Sequence, residues 1–242
     1  MVLRLTLPNG TPSAILHLVD EESCKDGGAG IVTLLQRINR VSGQSFAGAG
    51  GMFGLGAFGI GGHPGSLTLS RGQTALEGYV KKLMRRAADK IESAYGSSRD
   101  RTLKLAARTA VSDLRDDSRT FMQATGLVYA NHSTLQSHVD GVGEYLVLLS
   151  IGQTCLFDID GQIIPFKSGD ALVFNGGATH GVMHGVKAVH GGTCPSHLPH
   201  EIAQLRVSIQ MRQNSPSLWP NVGGGFGSAF SGNPFGDAFD DC

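Results

Sequence analysis

His138 and Asp140 stand two residues apart. Positions i and i+2 of an extended strand share a face, so an imidazole and a carboxylate there can close on one ion. A third ligand must come from elsewhere. The run GGATHGVMHGV offers His180 and His184, of which His184 follows a turn-and-strand segment, FKSGDALVFNGG, that could carry it opposite the first pair. Two histidines and one carboxylate on one face of an octahedron leave positions open for a co-substrate and O2, the arrangement of non-haem Fe(II) oxygenases. The bland reading of the same residues is a pair of structural histidines capped by an aspartate.

In QLRVSIQMRQ, Arg206, Ser208, Gln210 and Arg212 alternate with Val207, Ile209 and Met211. A strand here points both guanidinium groups to one side. Buried arginines are costly without anions. A dicarboxylate would supply one, its distal carboxylate gripped bidentately while the other end chelates the metal. Protein carboxylates such as Asp140 or Asp158 are the competing partners, for Arg212 above all.

Three further patterns invite chemistry. His190, Cys194, His197 and His200 are of zinc-binding type, but their spacing is irregular and prolines interrupt them. Gly54-x-Gly56-x-x-Gly59 matches a dinucleotide fingerprint, yet more glycine and His63-Pro64 follow where the motif needs a helix N-terminus. Asp170, in a Ser-Gly-Asp turn before a strand, reads as structural.

The elements that must position these groups divide the chain. Ile31 to Ile38 has helix-like spacing, whereas 43–65 is so rich in glycine that no period survives and a mobile loop is expected. Leu76, Val80, Leu83, Met84, Ala87 and Ile91 recur at three and four, which predicts a helix over 74–95. Its other face carries Lys81, Lys82, Arg85, Arg86 and Lys90. That face is a solvated surface with an Arg85–Asp89 pair, or else a phosphate-binding one. A shorter helix is expected over 102–117.

Beyond Gln123 the period becomes that of strands: GLVYA, EYLVLLSIG, TCLFDI, QIIPF, ALVFNG, GVMHGV and QLRVSIQMR, with turn signals at Asp160-Gly161 and Gly169-Asp170. Many short strands after helices predict an α+β chain with a barrel or jelly-roll core. The expected parts are an N-terminal extension over 1–122, a catalytic core over 123–213 and a disordered Gly/Phe-rich tail over 214–242. Lys+Arg and Asp+Glu both total 20, so no whole-molecule field favours nucleic acid or an anionic membrane. Four scattered cysteines, and a start without a basic stretch before an apolar run, point to cytosol or nucleus.

From about Tyr129 to Arg212 the sequence resembles the AlkB-like 2-oxoglutarate and Fe(II)-dependent dioxygenases, with LVYANHSTLQSHVD, EYLVLLSIGQTCLFDI, KSGDALVFNGGATHGVMHGV and LRVSIQMR in the family's order. The resemblance implies a double-stranded β-helix core buttressed by N-terminal helices. It assigns the metal to His138, Asp140 and His184, the distal carboxylate of 2-oxoglutarate to Arg206, and the second arginine of the motif to Arg212. Tyr129 and Ser208 would assist in holding the co-substrate, and Leu135 would pack against it. An asparagine frequent in the family is Leu127 here, and arginine is frequent where His180 stands. The segment after Asp140 is shorter than in bacterial DNA-repair members and offers only Glu144 as a base-reading acid. The implied reaction uses Fe(II), 2-oxoglutarate and O2 to hydroxylate or oxidatively demethylate a substrate that the sequence leaves open: modified nucleic acid, protein or small molecule. A non-catalytic jelly-roll binding or scaffold module is the rival from another class.

Overall fold

Alternation along residues 145–152 divides the interior in two. Val147, Leu149 and Ile151 point into one buried cluster, Leu146 and Leu148 into another. The computed structural model describes residues 1–7, 10–19, 52–54, 67–119, 121–129, 131–140, 143–177, 180–198 and 200–213. Their strands are β1 (Val2–Thr6), β2 (Pro12–Leu18), β3 (Met52–Gly54), β4 (Phe121–Tyr129), β5 (Leu135–His138), β6 (Tyr145–Gly152), β7 (Thr154–Ile159), β8 (Gln162–Phe166), β9 (Ala171–Asn175), β10 (His184–His190) and β11 (Arg206–Gln213). Two helices, α1 (Leu67–Tyr95) and α2 (Arg101–Leu114), precede β4.

The strands form a seven-stranded sheet, β1-β2-β9-β6-β11-β4-β3, and a four-stranded sheet, β5-β10-β7-β8. One cluster fills the space between the sheets with Leu146, Leu148, Phe157, Phe166, Leu172 and Phe174. The other seals α1 and α2 onto the outer face of the large sheet through Val80, Leu83, Met84, Ala87 and Ile91. Each such large aliphatic side chain contributes about 1.5–3 kcal/mol of burial free energy. The result is an α+β double-stranded β-helix, as expected. Asp160 and Gly161, with φ of 51° and 77°, make the two-residue turn between β7 and β8, a conformation that favours an Asp-Gly pair.

Several boundaries differ from the sequence reading. The sheet is not confined to 123–213, since β1 and β2 extend its edge and β2 pairs with β9. Within the glycine-rich zone, Met52–Gly54 pairs with β4, because an exposed strand edge offers backbone partners that need no side-chain pattern. The rest of 43–65, Ile31 to Ile38 and the tail over 214–242 lie outside the described residues. α1 begins at Leu67 rather than near 74, and α2 ends at Leu114. Asp100 caps α2, accepting from the Thr102 and Leu103 amides at 2.8 and 3.1 Å.

Candidate metal centre and co-substrate pocket

β5 and β10 are neighbours in the small sheet, and their register sets His138 opposite His184. Asp140 lies just beyond the end of β5 rather than within a strand, yet it converges with both histidines. Its carboxylate stands 3.7 Å from His138 Nε2 and 3.9 Å from His184 Nε2. One ligand atom from each residue lies within 4.8 Å of the others, the spread a single ion can gather.

Each ring is aimed by its second nitrogen. His138 Nδ1 donates to the Gln136 carbonyl and His184 Nδ1 to the Val182 carbonyl, both at 2.9 Å, so in the neutral ring each Nε2 is the nitrogen with the lone pair. His184 is 2% exposed, and its Nε2 has no hydrogen-bond partner among the described residues. Phe174 and Phe157 wall that ring at 4.9 and 6.1 Å. Burial lowers the His184 pKa and holds the imidazole neutral, the form that binds metal. Burial also pushes the Asp140 carboxyl up, but His138, Arg212 and His184 together pull it well below the usual carboxylate range. The nearby Asp140 raises His138 in turn. A buried unpaired imidazole nitrogen facing an ionised carboxylate and a second imidazole is a donor set that fits a divalent cation.

The face of β11 behaves as the alternation predicts. Val207, Ile209 and Met211 enter the cluster beneath the helices, while Arg206, Ser208 and Gln210 are buried on the opposite face. Arg212 binds Asp140 through Nη2 at 2.9 Å and Nε at 3.3 Å, and its Nη2 also donates to Gln210 Oε1 at 2.7 Å. Of the two carboxylates weighed for it, Asp140 is the partner. Asp158 pairs instead with Lys187 at 3.0 Å.

Arg206 differs. It is 0% exposed, and among the described residues Nε, Nη1 and Nη2 have no partner at hydrogen-bonding distance and angle, although the Tyr129 hydroxyl and the Cys155 thiol stand close enough to interact with the guanidinium. Its guanidinium lies over the Tyr129 ring at 4.9 Å and the Phe166 ring at 5.6 Å. Rings then lead inward: Phe166 packs on Phe157 at 5.5 Å, and Phe157 stacks on His184. The Arg206 cation and the His184 ring therefore line one apolar interior. Ser208 is buried two positions along the strand, cross-strand from Leu127 and Ser150, and Leu135 packs against the same inter-sheet cluster. An unpaired charge at such depth costs several kcal/mol unless an anion answers it. The site accordingly calls for an anion.

The structure separates other residues from this centre. His180 is not among the converging ligands, and Ser13 Oγ donates to its carbonyl at 3.3 Å. His190, Cys194, His197 and His200 form no three-ligand cluster, so the zinc reading is not supported among the described residues. Glu144 acts electrostatically on Asp113 and Tyr145, beside α2. Asp170 accepts from the Lys167 amide and lies 3.0 Å from His17 Nε2, a structural role as read. On α1, Arg85 pairs with Asp117 rather than Asp89, and Lys81 donates to the Asp117 carbonyl. Asp89 and Glu92 are taken by Arg115, because the helix–helix contact offers two carboxylates where an i,i+4 pair offers one. The sequence reading missed the Gln136 and Val182 carbonyls and the phenylalanine wall. Only the wall left a signal, in the alternation of TCLFDI.

No known family model matches the sequence, and a search of curated proteins finds no match. The structure of OsALKBH1 aligns over 82% of this chain and 97% of its own, with a TM-score of 0.55 at 18% identity. The two chains share a fold. The viral collagen prolyl hydroxylase of Paramecium bursaria Chlorella virus-1, in its 2OG complex, aligns over 83% of this chain and 95% of its own, with a TM-score of 0.41 at 11% identity. Within this fold His138, Asp140 and His184 lie on and beside β5 and β10 of the small sheet, and Arg206 lies on β11 of the large one. Among the described residues no helix is long and apolar enough to cross a membrane.

Proposed function

We propose that this protein is an Fe(II)- and 2-oxoglutarate-dependent dioxygenase. The observation that carries the reading is the pairing of two deficits in one interior: a buried His184 Nε2 without a hydrogen-bond partner and a buried Arg206 without an anion. His138, Asp140 and His184 would hold the metal, and Arg206 the far carboxylate of the co-substrate, with Tyr129, Leu135 and Ser208 shaping its pocket. When bound, Fe(II) supplies the redox chemistry by which O2 converts 2-oxoglutarate to succinate and CO2 while a C–H bond of the substrate is oxidised.

The chain's own residues do the positioning. The Gln136 and Val182 carbonyls keep both Nε2 lone pairs aimed at the ion. Arg212 holds both oxygens of Asp140, so the carboxylate presents a fixed edge. Phe157, Phe166 and Phe174 exclude water behind His184, which strengthens each charge interaction inside. Oxidation of a methyl or methylene carbon is the expected outcome, on a substrate whose class the pocket does not select.

The test is anaerobic loading with Fe(II), addition of 2-oxoglutarate, admission of air and measurement of succinate. Metal-dependent succinate supports the reading, and its absence from metal-loaded protein favours a scaffold. Nucleic acid remains the alternative substrate. It requires salt-sensitive binding that weakens when Lys81, Lys82, Arg85 and Arg86 are neutralised, although Asp117 already engages two of these.

A further inference from the structure

β5 and β10 do not pair as a regular ladder. His184 faces His138 and Val186 faces Leu135, so the single residue Gly185 lies opposite two, Gln136 and Ser137. A β-bulge of this kind bends its strand and re-aims the neighbouring side chain. The neighbour is His138, and the bulged Gln136 supplies the carbonyl that receives its Nδ1–H.

The bulge runs close over Gly185. A Cβ on Gly185 would meet the Leu135 carbonyl oxygen at 2.7 Å and the Ser137 Cα and N at 2.9 Å each. These are backbone atoms, which cannot rotate aside. Ordinary contact begins near 3.4 Å, so any side chain at this position must drive β5 off β10 by several tenths of an ångström. Metal–ligand distances tolerate only about 0.2 Å. Two more glycines of the same segment are tightly packed, Gly181 against the Val139 side chain and the Gly177 carbonyl, and Gly177 against the Gly143 carbonyl.

We infer that Gly185 is a positioning residue for the metal ligand His138, its missing side chain being what seats the bulge that aims the imidazole. The inference rests on the metal-site reading proposed above. It makes the glycine of His184-Gly185-Val186 part of the site although it touches no ligand.

The test titrates Co(II) into wild type, Gly185→Ala and a remote control, Gly78→Ala, whose Cβ would meet nothing within 4 Å. Thermal melts and circular dichroism report folding. The expected result is a folded Gly185→Ala protein with Co(II) affinity reduced roughly 10- to 100-fold, and a control that binds like wild type. A folded Gly185→Ala protein with wild-type affinity overturns the inference and leaves the metal reading intact, whereas a wild type that binds no Co(II) overturns the metal reading itself. Should Gly185→Ala fail to fold, histidine nitrogen NMR on the wild-type apoprotein decides. His138 must be the Nδ1–H tautomer with its Nε2 unprotonated when neutral, and the opposite tautomer overturns the bulge's role.

Discussion

Arg212 grips both oxygens of Asp140, while Arg206, six residues earlier on the same strand face, meets no carboxylate among the described residues. Under the proposed reading, one arginine serves a ligand of the metal and the other receives the carboxylate of the co-substrate. The distinction separates their mutational signatures.

Arg212→Ala is expected to weaken Fe(II) or Co(II) binding roughly 10- to 100-fold, since Asp140 loses the partner that fixes its edge. Arg212→Lys should restore only part of this, because an ammonium cannot span two oxygens as a guanidinium does. Anaerobic calorimetric titration measures both.

Arg206→Met is expected to raise the 2-oxoglutarate KM roughly 10- to 100-fold, as charge-assisted bonds worth about 1.5–3 kcal/mol are lost. The same change removes an unanswered buried charge, so the apoprotein should become more stable, by roughly 1–4 kcal/mol. Thermal melts with and without 2-oxoglutarate show both effects: a higher midpoint alone, and no further rise on adding the co-substrate.

His184→Ala should abolish metal binding, whereas His180→Ala should leave it unchanged, because only His184 converges with His138 and Asp140. Titration of each variant with Co(II), followed by its visible absorption, distinguishes them.

Asp158 gives a pH-dependent case away from the metal. Burial pushes its carboxyl up, but Lys187 at 3.0 Å and the Ser137 hydroxyl at 2.9 Å hold it below its ordinary range. A carboxyl depressed on folding contributes stability above its unfolded pKa of about 3.9, and that contribution is lost as pH falls through the lower folded value. Lys187 is half exposed, so Asp158→Asn should cost no more than about 1 kcal/mol at neutral pH. Urea denaturation across pH should show the gap to wild type closing below about pH 4.

Sequence alone determined what depends on local period and residue type. The stripe from Val80 to Ile91 could only be one face of a helix, and the alternation from Arg206 to Arg212 placed cations on one side of a strand and aliphatics on the other. Ligand chemistry and spacing singled out His138 and Asp140 as a pair, and the family resemblance chose His184 over His180 as the third member. Tertiary structure decided the pairings. That Arg212 takes Asp140, that Arg85 takes Asp117, and that β1 and β2 extend the large sheet are long-range outcomes, which no local period encodes. The bulge opposite Gly185 belongs there too. Strand periodicity places i and i+2 on one face, but Asp140 lies past the end of β5, and Arg212 on a strand of the other sheet grips its carboxylate there. Close approach of two backbones is a property of the packed pair, so it becomes visible only once both strands are in place.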